Sequence, residues 1–368
     1  MIPLVIASAA LVVLLTGWFL YPLILSLLPR QPLPGQSASD SGSDAITVVI
    51  ATREPPPVIG ERVASLRTTT WPGGLLRIVI GVDPNAATPF AAYRETLEDG
   101  YNVVVVSGDA PGGKAATLNA AMREVKTDKV VFADSAQQFD PGAIAALAEA
   151  LDRPGVGGAT GEIVTDAERG VFGLFWRYES ALRQLESRAG IVVAVTGAIH
   201  ALNRHCWRPL PAGLICDDLL IPLNVGRQGL RVEVAANAMA RDYRSFTREV
   251  QLQRKVRTLT GMLQVCAYQP WVLNPWGHRL WGAFVCHKLI RIATPLLAVI
   301  ILAGMVTLIP ASMLVGTIAG ALAVVAVLLL MRGVSLQTAV HEFHWTLRML
   351  LAPVTAMGRA LRGDWHIW

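Results

Sequence analysis

Residues able to do chemistry recur directly after short apolar runs. Thr52 and Glu54 follow ITVVIA, Asp83 follows LRIVIGV, Gly112 to Lys114 come soon after NVVVVS, and Asp134 ends KVVFAD. A carboxylate in such a place can hold a hard cation, take a proton from a hydroxyl or accept N–H groups, and a lysine can meet an anion. Further on, Asp217 and Asp218 stand side by side in ICDDLLIP, where the following Leu219, Leu220 and Ile221 also allow a plain helix-capping reading. The stretch GDAPGGK, Gly108 to Lys114, satisfies half of a triphosphate-binding loop, but Ala115 comes next where a Ser or Thr hydroxyl is needed to hold magnesium. Cys206, Cys216, Cys266 and Cys286 contain no CxxC pair, so neither a zinc cage nor a disulfide scaffold is indicated.

The elements that must position these groups are legible as well. ITVVIA (46–51), LRIVIGV (76–82), NVVVVS (102–107) and KVVFAD (129–134) are continuous apolar, β-branched runs, separated by helical patterns such as AATLNAAMREV. Alternation of that kind predicts an α/β fold with a buried, mostly parallel sheet. Ligands of such sheets sit at the carboxyl ends of the strands, which is where the polar groups fall. A chain of 368 residues with 53% apolar and only 16% charged residues excludes a disordered chain and departs from an ordinary globule.

Two stretches account for the excess of apolar residues. No charged side chain occurs from Met1 to Pro29, and at ~1.5 Å per residue that helix exceeds the ~30 Å hydrocarbon core of a bilayer. A cleaved signal peptide fits less well, because the charged start and small-residue cleavage site are missing. Between Arg291 and Arg332 lie 40 uncharged residues, enough for two crossings with a turn near Pro310. Arg30, His287, Lys288, Arg291 and Arg332 flank these spans on one side, which places residues 31–287 in the cytoplasm by the positive-inside bias. Residues 238–368 carry 13 Lys and Arg against 4 Asp and Glu, a balance of +9 within a total of +5. The positive charge is therefore juxtamembrane, which anionic lipid explains without nucleic acid.

Read together, VVIATREPP, IVIGVDPN, GGKAATLNAAM, VVFADSAQQFD, YESALRQLES, VTGAIHALNR, ICDDLLIP and QLQRKVRTLTG resemble, in order, a membrane-bound inverting glycosyltransferase of family 2. That group holds the cellulose, chitin and hyaluronan synthases and smaller glycolipid-forming relatives. The resemblance covers roughly 48–295 and implies a GT-A domain of Rossmann-like type. It divides the chain into an N-terminal transmembrane helix (1–29), a linker (30–44) and the GT-A domain (45–237). Interfacial helices with a QxxR-like motif (238–290), two transmembrane helices (291–332) and a C-terminal interfacial helix (333–368) complete it.

By the same resemblance, Thr52, Glu54, Asp83, Lys114, Asp134, Gln251 and Arg254 would bind the nucleotide-sugar, expected to be a UDP-sugar. Asp134 would hold Mg2+ or Mn2+, although the second acid of the family's DxD is Ala136 here, which weakens metal binding in the absence of nucleotide. Asp218, with Asp217 beside it, would be the catalytic base, and Thr196 and Gly197 the acceptor element. The Trp of QxxRW is replaced by Lys255. His200 alternates with apolar partners and reads as a core residue. The activity implied is transfer of a sugar to a lipid-linked or growing glycan acceptor, in a protein of the bacterial inner-membrane type. A processive polysaccharide synthase completed by further copies or export partners is the first alternative, and a non-catalytic scaffold that binds nucleotide-sugar the second. No nucleic-acid partner is implied.

Overall fold

The computed structural model describes residues 2–29, 45–71, 74–165, 170–308 and 335–365. The expected linker and the second arm of the expected helical hairpin lie outside these residues. Two compact units are present. One is formed by Ile24–Ser245 and Gln264–Phe284, the other by Met1–Leu23, Phe246–Leu263 and Val285–Trp368.

The first unit is built on an eight-stranded sheet in the order β3-β2-β1-β4-β7-β6-β8-β5. Its strands are β1 (Ala45–Thr52), β2 (Leu75–Val82), β3 (Val103–Ser107), β4 (Lys129–Ala133), β5 (Gln138–Phe139), β6 (Val156–Thr165), β7 (Ile199–Asn203) and β8 (Arg231–Asp242). Strands β3, β2, β1 and β4 run parallel, as the apolar runs predict. β7 then pairs antiparallel with β4 and with β6, while β6 pairs parallel with β8, so the sheet is mixed beyond β4. The last long strand reaches Asp242, five residues past the expected domain limit at 237.

Both faces of the parallel half are covered, which is why its strands lack polar alternation. Ile46, Val48 and Ile50 of β1 point into a cluster with Ile59, Val63 and Leu66, Tyr93 and Leu97, and Ile144 and Leu147. These come from helices α2 (Pro56–Arg67), α3 (Phe90–Leu97) and α5 (Ala143–Leu151). Helix α4 (Lys114–Glu124) lies close over β2, where a Cβ on Gly81 would come within 2.7 Å of Thr117 Cγ2. Two further helices follow, α6 (Gly170–Arg188) and α7 (Asp217–Arg227).

The second unit is helical. Helix α1 (Ile2–Leu27) and helix α9 (Trp281–Val306) are each 26 residues long and apolar enough to cross a membrane. The latter begins ten residues before the expected Arg291, because WGAFVCHKL contains no proline and continues into the span through a short π-turn. The two pack closely through small residues: a Cβ on Gly17 would meet Ile290 Cγ2 at 2.6 Å, and one on Gly304 would overlap the Ala7 methyl. Trp18 Nε1 donates to Thr294 Oγ1 at 2.9 Å. Helices α8 (Arg248–Tyr268) and α10 (Leu336–Leu361) join them through Leu259, Ile292, Ala352 and Ala356. Val340, Phe343, Leu347, Leu350, Val354 and Leu361 leave an exposed apolar stripe along α10.

Candidate active site

The ends of β1 and β2 and the loop entering α4 are joined by one carboxylate. Asp83, 4% exposed, accepts from Arg53 Nε at 2.8 Å, Asn85 N at 2.9 Å and Gly113 N at 2.8 Å. Burial alone would raise its pKa, but the Asn85 N–H, the Arg53 guanidinium and the Gly113 N–H hold it below the usual carboxylate range. Gly112 and Gly113 have φ of +95° and +91°, and a Cβ on Gly112 would overlap the Asn85 amide and come within 2.7 Å of Asp83 Oδ1. The glycine-rich loop thus wraps a carboxylate of the chain itself, which accounts for its partial likeness to a phosphate loop. Asp83 N donates to Thr52 O, and the buried Thr52 hydroxyl accepts from Glu54 N at 2.9 Å. Glu54 itself is exposed.

Lys114, the first residue of α4, links this loop to the acids further along. Its Nζ lies 3.2 Å from Asp134 Oδ1 and 3.1 Å from Asp217 Oδ2. Burial opposes the ammonium form, yet the fields of Asp134, Asp217 and Asp218 outweigh it and hold Lys114 above the usual lysine range. Asp217 is 4% exposed and begins α7, with Asp218 next in the same first turn. The capping position is occupied by Cys216, not by either acid, and the two carboxylates sit instead where the helix dipole favours negative charge.

The segment Val195–Ala198 is stitched to both acids. Asp134 N donates to Ala198 O at 3.4 Å and Val195 N donates to Asp218 O at 2.9 Å, while β4 and β7 meet at Ala133 and Ile199. Asp218 is half-buried, and a Cβ on Gly197 would lie 3.6 Å from its Cβ and 3.7 Å from its Oδ2. Thr196 is clamped: its hydroxyl donates to Gly161 O at 2.7 Å and accepts from Arg183 Nη1 at 2.9 Å. Burial lowers the pKa of Arg183, while Glu186, Glu162 and Asp218 raise it. His200, 1% exposed, stacks on Phe132 at 4.8 Å and contacts Thr196 O through Nδ1 at 3.2 Å. Burial pushes its pKa down to about 4, so at neutral pH it is an uncharged core residue, as the alternation in the sequence suggested.

Of the anticipated residues, Thr52, Asp83, Lys114, Asp134, Thr196, Gly197, Asp217 and Asp218 form one continuous set of contacts at the strand ends. Gln251 and Arg254 belong to the helical unit. There Gln251 Nε2 donates to Phe246 O at 3.1 Å and the Arg254 guanidinium lies 4.1 Å over the Phe246 ring.

Besides Arg53 and Arg183, three further residues escaped the sequence reading. Arg62, 3% exposed, donates through Nε to Asp134 O at 3.2 Å and lies 4.3 Å over Phe139. Burial lowers its pKa to about 10 against the opposing field of Asp134. The signal for it was present, since Arg62 interrupts the stripe Ile59, Val63, Leu66 on α2. Gln137, just past the missing second acid, donates from Nε2 to Asp242 Oδ2 at 2.8 Å. Asp242 is held at about 2, first by the Arg244 side chain, with burial opposing and the Arg244 N–H and Gln137 assisting. No spacing rule connects positions 137 and 242.

A half-buried carboxylate–lysine cluster thus lies at the ends of a mixed sheet of GT-A type, beside a helix opened by two acids. Residues 43–261 match the family described as "Glycosyltransferase like family 2", and the chain belongs to that family. It is a glycosyltransferase. Among solved structures, the mannosyltransferase PcManGT from Pyrobaculum calidifontis, in complex with GDP-Man and Mn2+, is similar with a TM-score of 0.72 at 18% identity, over 98% of this chain and 99% of that one. Glucosyl-3-phosphoglycerate synthase from Mycobacterium tuberculosis, in complex with phosphoglyceric acid, gives a TM-score of 0.44 at 15% identity, over 65% of this chain and 86% of that one. No curated protein matches the sequence.

Proposed function

We propose that this chain is a membrane-bound inverting glycosyltransferase moving a sugar from a nucleoside-diphosphate sugar to a hydroxyl of a lipid-linked acceptor. The observation that supports it most is the Lys114 bridge between Asp134 and Asp217, with Asp218 adjacent and Gly197 against it. Glycosyltransferase family membership gives the reaction class, and the length and apolar character of α1 and α9 support a membrane setting. Each helix is ~39 Å long against a ~30 Å hydrocarbon core, with Val12, Phe19, Val299 and Leu302 exposed. Residues 31–287 would then be cytoplasmic, and α10 would lie in the interface with its apolar stripe in lipid.

The donor would lie along the strand ends. Thr52 and Glu54 would line the base and ribose, Asp83 would fix the loop that carries Lys114, and Lys114 would face the diphosphate. The acceptor oxygen attacks the anomeric carbon from the side opposite the diphosphate. The carbon–oxygen bond to phosphate breaks with its electron pair leaving on the diphosphate, and Asp218 takes the hydroxyl proton. Thr196 and Gly197 leave room beside Asp218 for that hydroxyl, and Arg183 keeps Thr196 oriented.

A divalent ion fits this set in one way. Among the described residues no three His, Cys, Asp or Glu side chains converge, and Asp134, with 37% of its side chain exposed, is the available carboxylate. Mg2+ and Mn2+ bound with phosphate oxygens and water need only one or two carboxylates, so Asp134 would hold an ion that arrives with the donor. Such an ion would supply charge neutralisation for the departing diphosphate.

The test is a panel of GDP- and UDP-sugars with purified protein and Mg2+ or Mn2+. Asp218→Asn should lower turnover by about 10²- to 10⁴-fold with donor affinity kept. Turnover that survives this substitution would remove Asp218 as the base, and no turnover of any donor would remove the proposal.

A further inference from the structure

Asp134 stands directly after β4, on the loop that leads to β5, and both of its main-chain groups are tied. Its N–H donates to Ala198 O at 3.4 Å, and its carbonyl accepts from Arg62 Nε at 3.2 Å. The loop is fixed at its far end as well, where Gln137 Nε2 donates to Asp242 Oδ2 at 2.8 Å and β5 pairs with β8 through Gln138 and Phe139. From this frame the Asp134 carboxylate projects with 37% of the side chain exposed, and Lys114 Nζ lies 3.2 Å away.

Arg62 is the costly member of the frame. It is 3% exposed on the apolar face of α2, beside Ile59, Val63 and Leu66. Its Nη1 and Nη2 are buried and make no hydrogen bond to the described residues, so its polar contacts are the Asp134 carbonyl and the Phe139 ring, whose centroid lies 4.3 Å from Cζ. Burying a guanidinium is expensive, and one bond to a neutral carbonyl with one ring contact offsets only part of it. An apolar side chain would serve the stability of α2 as well, so stability does not account for this arginine. The neighbouring metal chemistry does. Ala136 stands where the family pattern has its second acid, so an ion here is not chelated between two carboxylates. A lone ligand can still offer a fixed direction, and that depends on the groups hydrogen-bonded behind it.

We propose that Arg62 is a positioning residue for metal binding: by holding the Asp134 carbonyl it aims the single carboxylate at a divalent ion that arrives with the nucleoside diphosphate. The inference deepens the proposed function and rests on Asp134 as the ion's ligand. Charge alone predicts the reverse, because removing one cation beside Asp134 would strengthen its hold on another. The two effects of Arg62 therefore differ in sign.

The experiment titrates Mn2+ into the full chain in neutral detergent with GDP or UDP present, following free Mn2+ by electron paramagnetic resonance, and records the thermal unfolding midpoint of each variant. Asp134→Asn gives the reference for a lost ligand. Arg62→Met should weaken Mn2+ binding about tenfold, while GDP or UDP affinity without metal stays within a few fold. A merely structural arginine would lower the midpoint and leave Mn2+ affinity where it is. Arg62→Lys keeps the charge but loses the flat guanidinium over Phe139, and should also weaken Mn2+. Gln137→Ala, which loosens the far end of the same loop, should act in the same direction by a smaller factor. Unchanged or tighter Mn2+ binding in Arg62→Met overturns the positioning role, and so does an equal loss of nucleotide affinity in the absence of metal. If Arg62→Met does not fold, Arg62→Lys decides on the same reading. Mn2+ binding that survives Asp134→Asn, or none in the wild type, overturns both this role and the assignment of the ion to Asp134. A loss in Asp134→Asn with none in Arg62→Met overturns the positioning role alone.

Discussion

In the sheet unit a largely buried ammonium, Lys114, is met by Asp134 and Asp217, and a buried carboxylate, Asp83, is met by Arg53 and two backbone N–H groups. In the helical unit the ion pairs are surface ones: Arg248 with Glu342 and Arg348 with Glu249, both carboxylates being more than half exposed. One region supplies its own counterions, so a ligand entering there must exchange with charges already neutralised. The other carries its ion pairs at the surface, where water screens them. The first arrangement favours selectivity for a ligand that brings charge of both signs, such as a diphosphate with its metal.

The sharpest way to break this contrast is to remove the cation in the compensated region. Lys114→Met leaves Asp217 buried without its ammonium partner and should cost about 3 kcal/mol of stability, read as a lowered unfolding midpoint, together with loss of transfer. An unchanged midpoint would mean that Asp217 draws its stability from elsewhere.

A smaller effect concerns the histidine beneath the same cluster. Burial holds His200 at about 4, with Asp217 pulling it up and Lys114 pushing it down. The ordinary value is ~6.5, so below that pH the unfolded chain takes up a proton that the folded chain refuses. Stability should fall as pH drops from ~6.5 towards ~4, by about 2 kcal/mol at pH 5. His200→Gln should show less of this acid sensitivity, measured as the difference in midpoint between pH 7 and pH 5. Parallel curves for the two proteins would assign the loss to other groups.

The smallest effect lies in the helical unit. Arg348→Gln breaks the exposed 3.7 Å pair with Glu249 and should shift the midpoint by less than about 1 kcal/mol. A larger fall would show that this pair does more than a surface contact does.

The parallel half of the sheet was open to sequence reasoning because burial on both faces writes unbroken apolar runs, and the strand ends then localise Asp83, Lys114 and Asp134. The pair Asp217–Asp218 was legible as a motif, but the separation of their surroundings was not: one is locked to Lys114 and the other faces Gly197. That difference depends on the antiparallel placement of β7 beside β4, which periodicity does not encode. Arg62 was readable in principle as a charge inside an apolar stripe. The Gln137–Asp242 bond was not, since it joins a loop to the end of β8 across 105 positions.

The contact of Gly17 with Ile290 and of Gly304 with Ala7 has a consequence for biogenesis. Residues that touch there are about 270 to 300 positions apart, so the first apolar helix leaves the ribosome long before its mate exists. The sheet unit, whose parallel strands are linked by short local crossovers, can mature in that interval, and closure of the helix pair becomes a late step.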